Sequence, residues 1–365
     1  MQQADTTIWC LLGENAAENS QVTTLAHSLA RPFEIKQIKA HRWELLVHLG
    51  HGATLAGIDQ AASSPLTAPW PALAFSASRC AEPVGQWIRR QSGGRTRLVH
   101  IGRPWAPPEH WDLLISTAQY CLPQRANVLS LSLPLHASPV GAAGGAETPQ
   151  AQFAALPRPW IALLPGADHG PFVLTESKAA ALGDLADKLA AATGGSLLYC
   201  DQPGTPWPVG AAITGQLRGD NFIHHAESDA GLYRDIVDKA DAIILSGASP
   251  GRLAEAAASG RPLLLFDCAE GASGWWKLAH NYRPGPLQYH LLQKALPRRL
   301  QRDPVKLQRN LLATGRALRL RASALPEAAR YILKPRDTTT VEFPQATAAA
   351  ELASAAAAVS SLLGA

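Results

Sequence analysis

Residues 240–267 read ADAIILSGASPGRLAEAAASGRPLLLFD, and they constrain the fold more than any other stretch. An apolar run of strand length enters a Gly/Ser turn, an Ala-rich helix follows, and a second apolar run closes the unit. Two such runs joined through a helix pair in parallel, because the helix carries the chain back to the end where the first strand began. Strands apolar along their whole length are covered on both faces.

The same alternation runs through both halves. TTIWCLLG (6–13), FEIKQIKA (33–40), PALAFSAS (71–78), RTRLVHIG (95–102), WDLLIST (111–117) and NVLSLSLPL (127–135) read as strands. Residues 19–30 and 83–94 between them have helical spacing, the latter with Pro at its start and Gly at its end. WIALLPGADHG (160–170) restarts the pattern, and SLLYCDQ, NFIHHAE, DAIILSG and PLLLFD continue it around helices at 176–195, 230–240 and 249–260. Residues 275–323 read as mainly helical, and the tail after 345 as a helix of small residues. A chain of 365 residues exceeds one core. The fold class expected is therefore α/β, with two Rossmann-like doubly wound domains facing a cleft.

The boundary falls where periodicity fails, in the Ala/Gly/Pro-rich ASPVGAAGGAETPQAQ (137–152). The expected organisation is an N-terminal domain over 1–136, a linker over 137–156, a C-terminal domain over 157–335 and a tail over 336–365.

Composition narrows the function classes. With 47% hydrophobic and 17% charged residues the chain is a globular protein with a large core. A net charge of +4 is too small to imply nucleic-acid binding. Residues 283–321 nevertheless carry ten Lys/Arg against one acid, Asp303. That is either a solvated helical face or a surface for anionic lipid or phosphate. The five cysteines are scattered without metal spacing, which favours reduced thiols and a cytoplasmic location. The N-terminus lacks a signal peptide's basic and apolar regions, and no run is long and apolar enough to span a membrane. Peripheral contact at the inner face of the cytoplasmic membrane stays open.

In open α/β sheets ligands bind beyond the carboxyl ends of strands, where helix N-termini present free N–H groups to anions. Three turns are so placed: 11–21, 163–172 and 245–255. In the last, Gly247, Ser249 and Gly251 allow close approach of a phosphate, and Glu255 lies where a carboxylate would accept two ribose hydroxyls. The plain alternative for Glu255 is a surface residue of an amphipathic helix. Gly166, His169 and Gly170 offer a second contact for a diphosphate. Glu14 and Glu18, after the first strand, are candidates for the base that deprotonates an acceptor hydroxyl, or else merely cap the next helix. Neither GxGxxG after a domain's first strand, nor Tyr-x-x-x-Lys, nor GxxxxGK[ST], nor Asp-x-Asp occurs. The pairs His48/His51 and His224/His225 do not complete a metal-ligand set. What these absences leave is a two-domain protein that could hold a nucleotide diphosphate in its C-terminal half without a metal or other cofactor, where helix dipoles and N–H donors would stabilise a departing diphosphate.

The segments IWCLLGENAAENSQ, RPFEIKQIK, VGQWIRRQSGGRTRLVHIGRP and WDLLISTAQYCLPQRANVLSLSLPLH, followed by LPRPWIALLPG, 240–266 and NYRPG, resemble in order and spacing the mitochondrial-fission (elongated-mitochondria) family. The likeness covers roughly residues 7–285. Bacterial members are grouped as outer-core glycosyltransferases, and the family is similar to the B-type glycosyltransferase fold. The resemblance implies that Gly13, Asn19, Gln21, Arg79, Arg103, Pro104, Tyr120 and His136 line the acceptor side. It implies that Gly166, Gly247, Ser249 and Glu255 line the donor side. The chain departs from relatives at Ala248, where an acid is frequent, and at Glu14-Asn15, where an Asp-Arg-like pair is common. The function implied is metal-independent transfer of a sugar from a nucleotide-sugar donor to a cell-envelope glycan or glycolipid, such as the lipopolysaccharide core. The alternatives are a non-catalytic scaffold, as plant members recruit a dynamin-like protein, and a nucleotide-sugar epimerase of similar architecture.

Overall fold

The structure is a computed structural model, and it describes residues 7–44, 47, 52–136, 153–166, 168, 172–201, 204–224, 230–247, 250–279, 303, 305–334 and 344–364. The chain divides into two compact units. The first comprises Met1–Ala137, His290–Asp303 and Ala348–Ala365, and the second Ser138–Tyr289 and Pro304–Thr347.

The first unit is built on six parallel strands: β1 (Ile8–Leu12), β2 (Phe33–Gln37), β3 (Leu73–Ser76), β4 (Arg97–Ile101), β5 (Leu113–Thr117) and β6 (Val128–Leu131). Their order is β2-β1-β3-β4-β5-β6, so the winding reverses between β1 and β3. Residues alternate between two covered faces. Ile8, Cys10, Phe75, Val99 and Ile115 pack under α1 (Ala16–Ser28) through Val22, Leu25 and Ala26. Trp9, Leu11, Ala74, Leu98 and Leu114 pack under α2 (Ala81–Gln91) through Ala81, Val84 and Ile88.

Helix α1 begins at Ala16, three residues before the expected start. Asn15 caps it, its side chain accepting from Ala17 N at 3.0 Å and Glu18 N at 3.3 Å.

The second unit has strands β7 (Trp160–Pro165), β8 (Ser196–Cys200), β9 (Asn221–His224), β10 (Ala242–Ser246), β11 (Leu263–Phe266) and β12 (Leu318–Leu320). Helices α3 (Glu176–Thr193), α4 (Trp207–Thr214), α5 (Ala230–Lys239), α6 (Pro250–Ala258), α7 (Gly274–Ala279), α8 (Lys306–Ala313) and α9 (Leu325–Leu333) connect and flank them. The order β12-β11-β10-β7-β8-β9 places the reversal between β7 and β10. That order is the doubly wound arrangement in which ligands bind at the switch point.

Three details depart from the expectation. Residues 318–320 form an edge strand inside a stretch read as helical. Leu320 is buried and paired to Phe266, while the Arg319 side chain reaches Asp267 Oδ2 at 2.6 Å. A strand this short is set by its neighbour rather than by local propensity. Helix α4 carried no sequence expectation. It lies against α3, where a Cβ on Gly183 would stand 2.5 Å from Ile213 O. Phe153, within the expected linker, is fully buried and packs edge-on against Trp160 at 5.1 Å.

Helix α10 (Pro344–Gly364) seats its small-residue face on the first unit. Ala355 and Val359 are fully buried in that core, and Glu351 Oε1 accepts from Ser132 N at 2.6 Å.

Candidate functional site

In the second unit, β7 and β10 run side by side with Pro165 opposite Ser246. Each ends in a glycine, and the two turns touch. Gly166 N donates to Ser246 O at 2.9 Å and to Ser246 Oγ at 3.3 Å. A Cβ on Gly166 would lie 2.3 Å from Ser246 O and 2.9 Å from Gly247 O, so no other residue fits. Gly247 has φ +51°, and its Cβ would meet Phe172 Cβ at 2.8 Å. Cys268, fully buried beside it, has its thiol pushed up to about 12 by burial and by the nearby Asp267 and Asp168. It is a packing residue.

Helix α6 leaves this turn pair. Glu255 on it is part of a fixed cluster: its Oε2 accepts from Arg252 Nη1 at 2.7 Å and from Tyr233 Oη at 3.1 Å. The Arg252 guanidinium also lies 4.1 Å over the Tyr233 ring. Burial, and then the negative charge of Glu255, pushes the Tyr233 phenol well above its ordinary range, so it stays a donor. Glu255 and Arg252 keep 22% and 31% of their side chains accessible, enough for each to meet a ligand. Gly251 lies in the first turn of α6, with nothing within 4 Å of where a Cβ would stand. His169, Gly170 and Ser249 lie outside the described residues.

The first unit has an analogous junction at its own reversal. A Cβ on Gly13, after β1, would meet Ser78 Cβ and Oγ at 2.8 Å, beyond β3. Asn19 Nδ2 donates to Gly13 O at 2.8 Å and fixes the turn. Glu18, in the first turn of α1, has its pKa raised by burial, against the opposing charge of Arg79. Arg79 forks onto Glu44 Oε1, with Nε at 3.2 Å and Nη2 closer still. Glu14 is more exposed and pairs with Lys39 Nζ at 2.7 Å.

Arg79 and Arg103 converge on one ring, their guanidinium carbons 5.3 and 5.8 Å from the Trp105 centroid. Pro104 sits between Arg103 and Trp105. The loop is held by Glu82, a buried residue in the first turn of α2. Its carboxyl accepts from Trp105 N at 2.9 and 3.1 Å and from Ala106 N at 3.0 Å. Burial raises Glu82 to about 8. His100, on β4, places Nε2 3.8 Å from Glu82 Oε1, and burial lowers it to about 3. Near neutral pH this is a protonated carboxyl beside a neutral imidazole, not an ion pair. His100 Nδ1 meets Ser76 Oγ at 2.9 Å.

The folded chain thus brings Gly166 to Gly247, Asn19 to Gly13, and Arg79 to Arg103. Gln21 is not drawn in; its side chain reaches only back to Ala17 O at 3.5 Å. Tyr120 ends the 3-10 turn Ala118–Tyr120 after β5, and His136 follows β6. Among the described residues no group of three His, Cys, Asp or Glu is placed to hold a metal ion. Sequence reading missed Tyr233, Arg252, Glu44, Glu82, His100 and Trp105. Arg252 was legible as the i,i+3 partner of Glu255. Tyr233 carried no signal, because it reaches Glu255 from another helix.

The profile of the family described as Mitochondrial fission ELM1 matches residues 16–283. No curated protein sequence matches the chain. Among solved structures, a UDP-glucosyltransferase from Polygonum tinctorium, capable of glucosylating indoxyl and in complex with 3,4-dichloroaniline, is similar at a TM-score of 0.50. It is 9% identical, and the likeness covers 99% of each chain. The UDP-N-acetylglucosamine 2-epimerase from Rickettsia bellii gives a TM-score of 0.46 at 10% identity, over 98% of this chain and 96% of that one. The glycosyltransferase SnogD from Streptomyces nogalater gives 0.44 at 13% identity, over 97% and 95%. Two doubly wound parallel sheets and the first of these likenesses make this a B-type glycosyltransferase-like fold.

Proposed function

We propose that this chain, which belongs to the mitochondrial fission ELM1 family, is a metal-independent glycosyltransferase that takes its sugar from a nucleotide-sugar donor. The observation carrying this reading is the contact of the Gly166 and Gly247 turns at the β7/β10 reversal, followed by helix α6. A diphosphate would lie against the turn amides and the α6 N-terminus, and the ribose hydroxyls would meet Glu255. The Arg252–Tyr233 cluster would keep that carboxylate aimed. The Polygonum relative in fold is a UDP-glucosyltransferase, which agrees with such a donor.

In the transfer the acceptor oxygen forms a bond to the sugar's anomeric carbon as the carbon–oxygen bond to the diphosphate breaks. The diphosphate departs with the electron pair, stabilised by amide N–H groups, and a base takes the hydroxyl proton. Glu18, whose pKa burial raises, fits that base better than Glu14, which Lys39 engages. The acceptor side comprises Gly13, Asn19, Arg79 and Arg103 in this reading, and the acceptor is a cell-envelope glycan or glycolipid. Peripheral contact with an anionic membrane through 283–321 belongs to the same reading; Arg309 and Arg321 are exposed there. Among the described residues no helix is long and apolar enough to cross a membrane.

A thermal-shift series with UDP-, GDP-, ADP-, dTDP- and CMP-sugars, with and without EDTA, tests the proposal. One nucleotide class should raise the midpoint by several degrees regardless of EDTA, since saturation at a hundred times Kd adds about 2.7 kcal/mol. Glu255→Gln should remove most of that shift while the protein stays folded. An undiminished shift in this variant would exclude Glu255 as the ribose contact. No shift with any donor would favour a scaffold, and sugar isomerisation without acceptor would mark an epimerase.

Gly251→Ala separates ligand from packing. Its Cβ meets no neighbour, so the variant should gain about 0.5–1 kcal/mol of helix stability. The same variant should bind donor more weakly, if phosphate approaches the α6 N-terminus closely. Equal gains with and without donor would move the phosphate away from Gly251.

A further inference from the structure

The carboxyl ends of β1 and β2 border an open pocket of about 350 Å³ in the first unit, lined by Gly13, Glu14, Gln37, Ile38, Lys39 and Ala62. β2 is an edge strand, and the loop 59–64 covers it. Gln37 N donates to Ser64 Oγ and Lys39 N to Ser63 Oγ, each at 2.9 Å. The carbonyls of Gln37 and Lys39 accept from Ser64 N and Asp59 N, each at 2.8 Å. Asp59 Oδ1 in turn accepts from Ala61 N at 3.0 Å and Ala62 N at 3.1 Å. The pocket wall is therefore tied to the sheet.

Its chemistry is amphipathic. Ile38, 2% exposed, gives an apolar floor beside the Ala62 methyl. Glu14 and Lys39, 2.7 Å apart and each more than half exposed, supply an acceptor and a donor, and the Gln37 amide supplies both. Opposite charges at one site give no net attraction for a phosphate or carboxylate. A wholly apolar occupant would desolvate the ion pair without replacing its water. A pyranose suits both parts, since one face is C–H and its edges carry hydroxyls that donate and accept. The volume equals roughly a dozen waters at about 30 Å³ each, the scale of one or two sugar rings.

We infer that this pocket binds a neutral saccharide unit of the acceptor, held by Glu14, Gln37 and Lys39. The inference rests on the glycosyltransferase reading but not on any residue of the donor site.

The test uses the full chain, isotope-labelled, with amide spectra recorded during titration with glucose, galactose, mannose, N-acetylglucosamine and glucose 6-phosphate. A neutral sugar should shift the Gly13, Lys39 and Ala62 amides. Lys39→Met should weaken that binding about tenfold, the loss of one charge-assisted hydrogen bond. Ala62→Trp, at an exposed loop position, should block it by filling the pocket. Both variants should keep the thermal shift with nucleotide-sugar, which separates failure here from failure of the donor reading. No shift of these amides by any sugar would overturn the inference, as would shifts undiminished in both variants. Binding of glucose 6-phosphate alone would overturn the neutral class.

Discussion

Gly166→Ala is expected to destabilise the second unit by about 3 kcal/mol or more, in the range where a core insertion has no room to relax. For a unit of this size that is a fall in midpoint of roughly 10 °C. The backbone conformation at Gly166 lies outside the left-handed region and would accept alanine. Space alone forbids it, because the new methyl would stand 2.3 Å from Ser246 O and 2.9 Å from Gly247 O. Both obstacles are backbone of the neighbouring strand's exit, so no side-chain rotation relieves them. The strands must part, and the Gly166 N to Ser246 O bond at 2.9 Å is lost with them. Thermal unfolding followed by circular dichroism reads the effect. A midpoint within 3 °C of wild type would mean that the two turns are not in contact, and the proposed phosphate cradle would go with them.

The second large effect is a pH dependence set by Glu82 and His100. Glu82 rises from 4.5 to about 8 on folding, so the native state holds a proton that the unfolded chain releases between those values. Stability from this group is therefore lost as pH rises through that window. His100 falls from 6.5 to about 3, so its contribution is lost as pH drops from 6.5 toward 3. Each slope is at most about 1.4 kcal/mol per pH unit. The two oppose each other between 4.5 and 6.5, which gives a plateau there. Above 6.5 the Glu82 slope stands alone and removes about 2 kcal/mol by pH 8. Glu82→Gln keeps an acceptor for the Trp105 and Ala106 amides but cannot ionise. Its midpoint, measured against wild type from pH 5.5 to 8.5, should gain on wild type as pH rises. A constant difference would show that Glu82 is already ionised at the bottom of the range.

Glu82 also shows where sequence reading stops. A glutamate in the first turn of an amphipathic helix reads as a solvated dipole partner. Only the approach of the 103–106 loop turns it inward and buries it. Phe153 is similar: its stretch has no periodicity, yet the ring finds Trp160 and Phe222. Gly166 and Gly247 were legible as turn glycines, each from its own strand–turn segment. Arg79 and Arg103 had no local pattern that would set both beside Trp105.

The amino-acid sequence alone carries the alternation of buried strand and helix, hence two parallel sheets and glycine turns at strand ends. These follow from periodicity and turn chemistry, which act over a few residues. Strand order is a different matter. The reversals at β1/β3 and β7/β10, and the meeting of Gly166 with Gly247, belong to the tertiary structure. Residues some eighty positions apart become neighbours only through which strand pairs with which. That choice is made by the burial of whole faces, and no local run of residues encodes it.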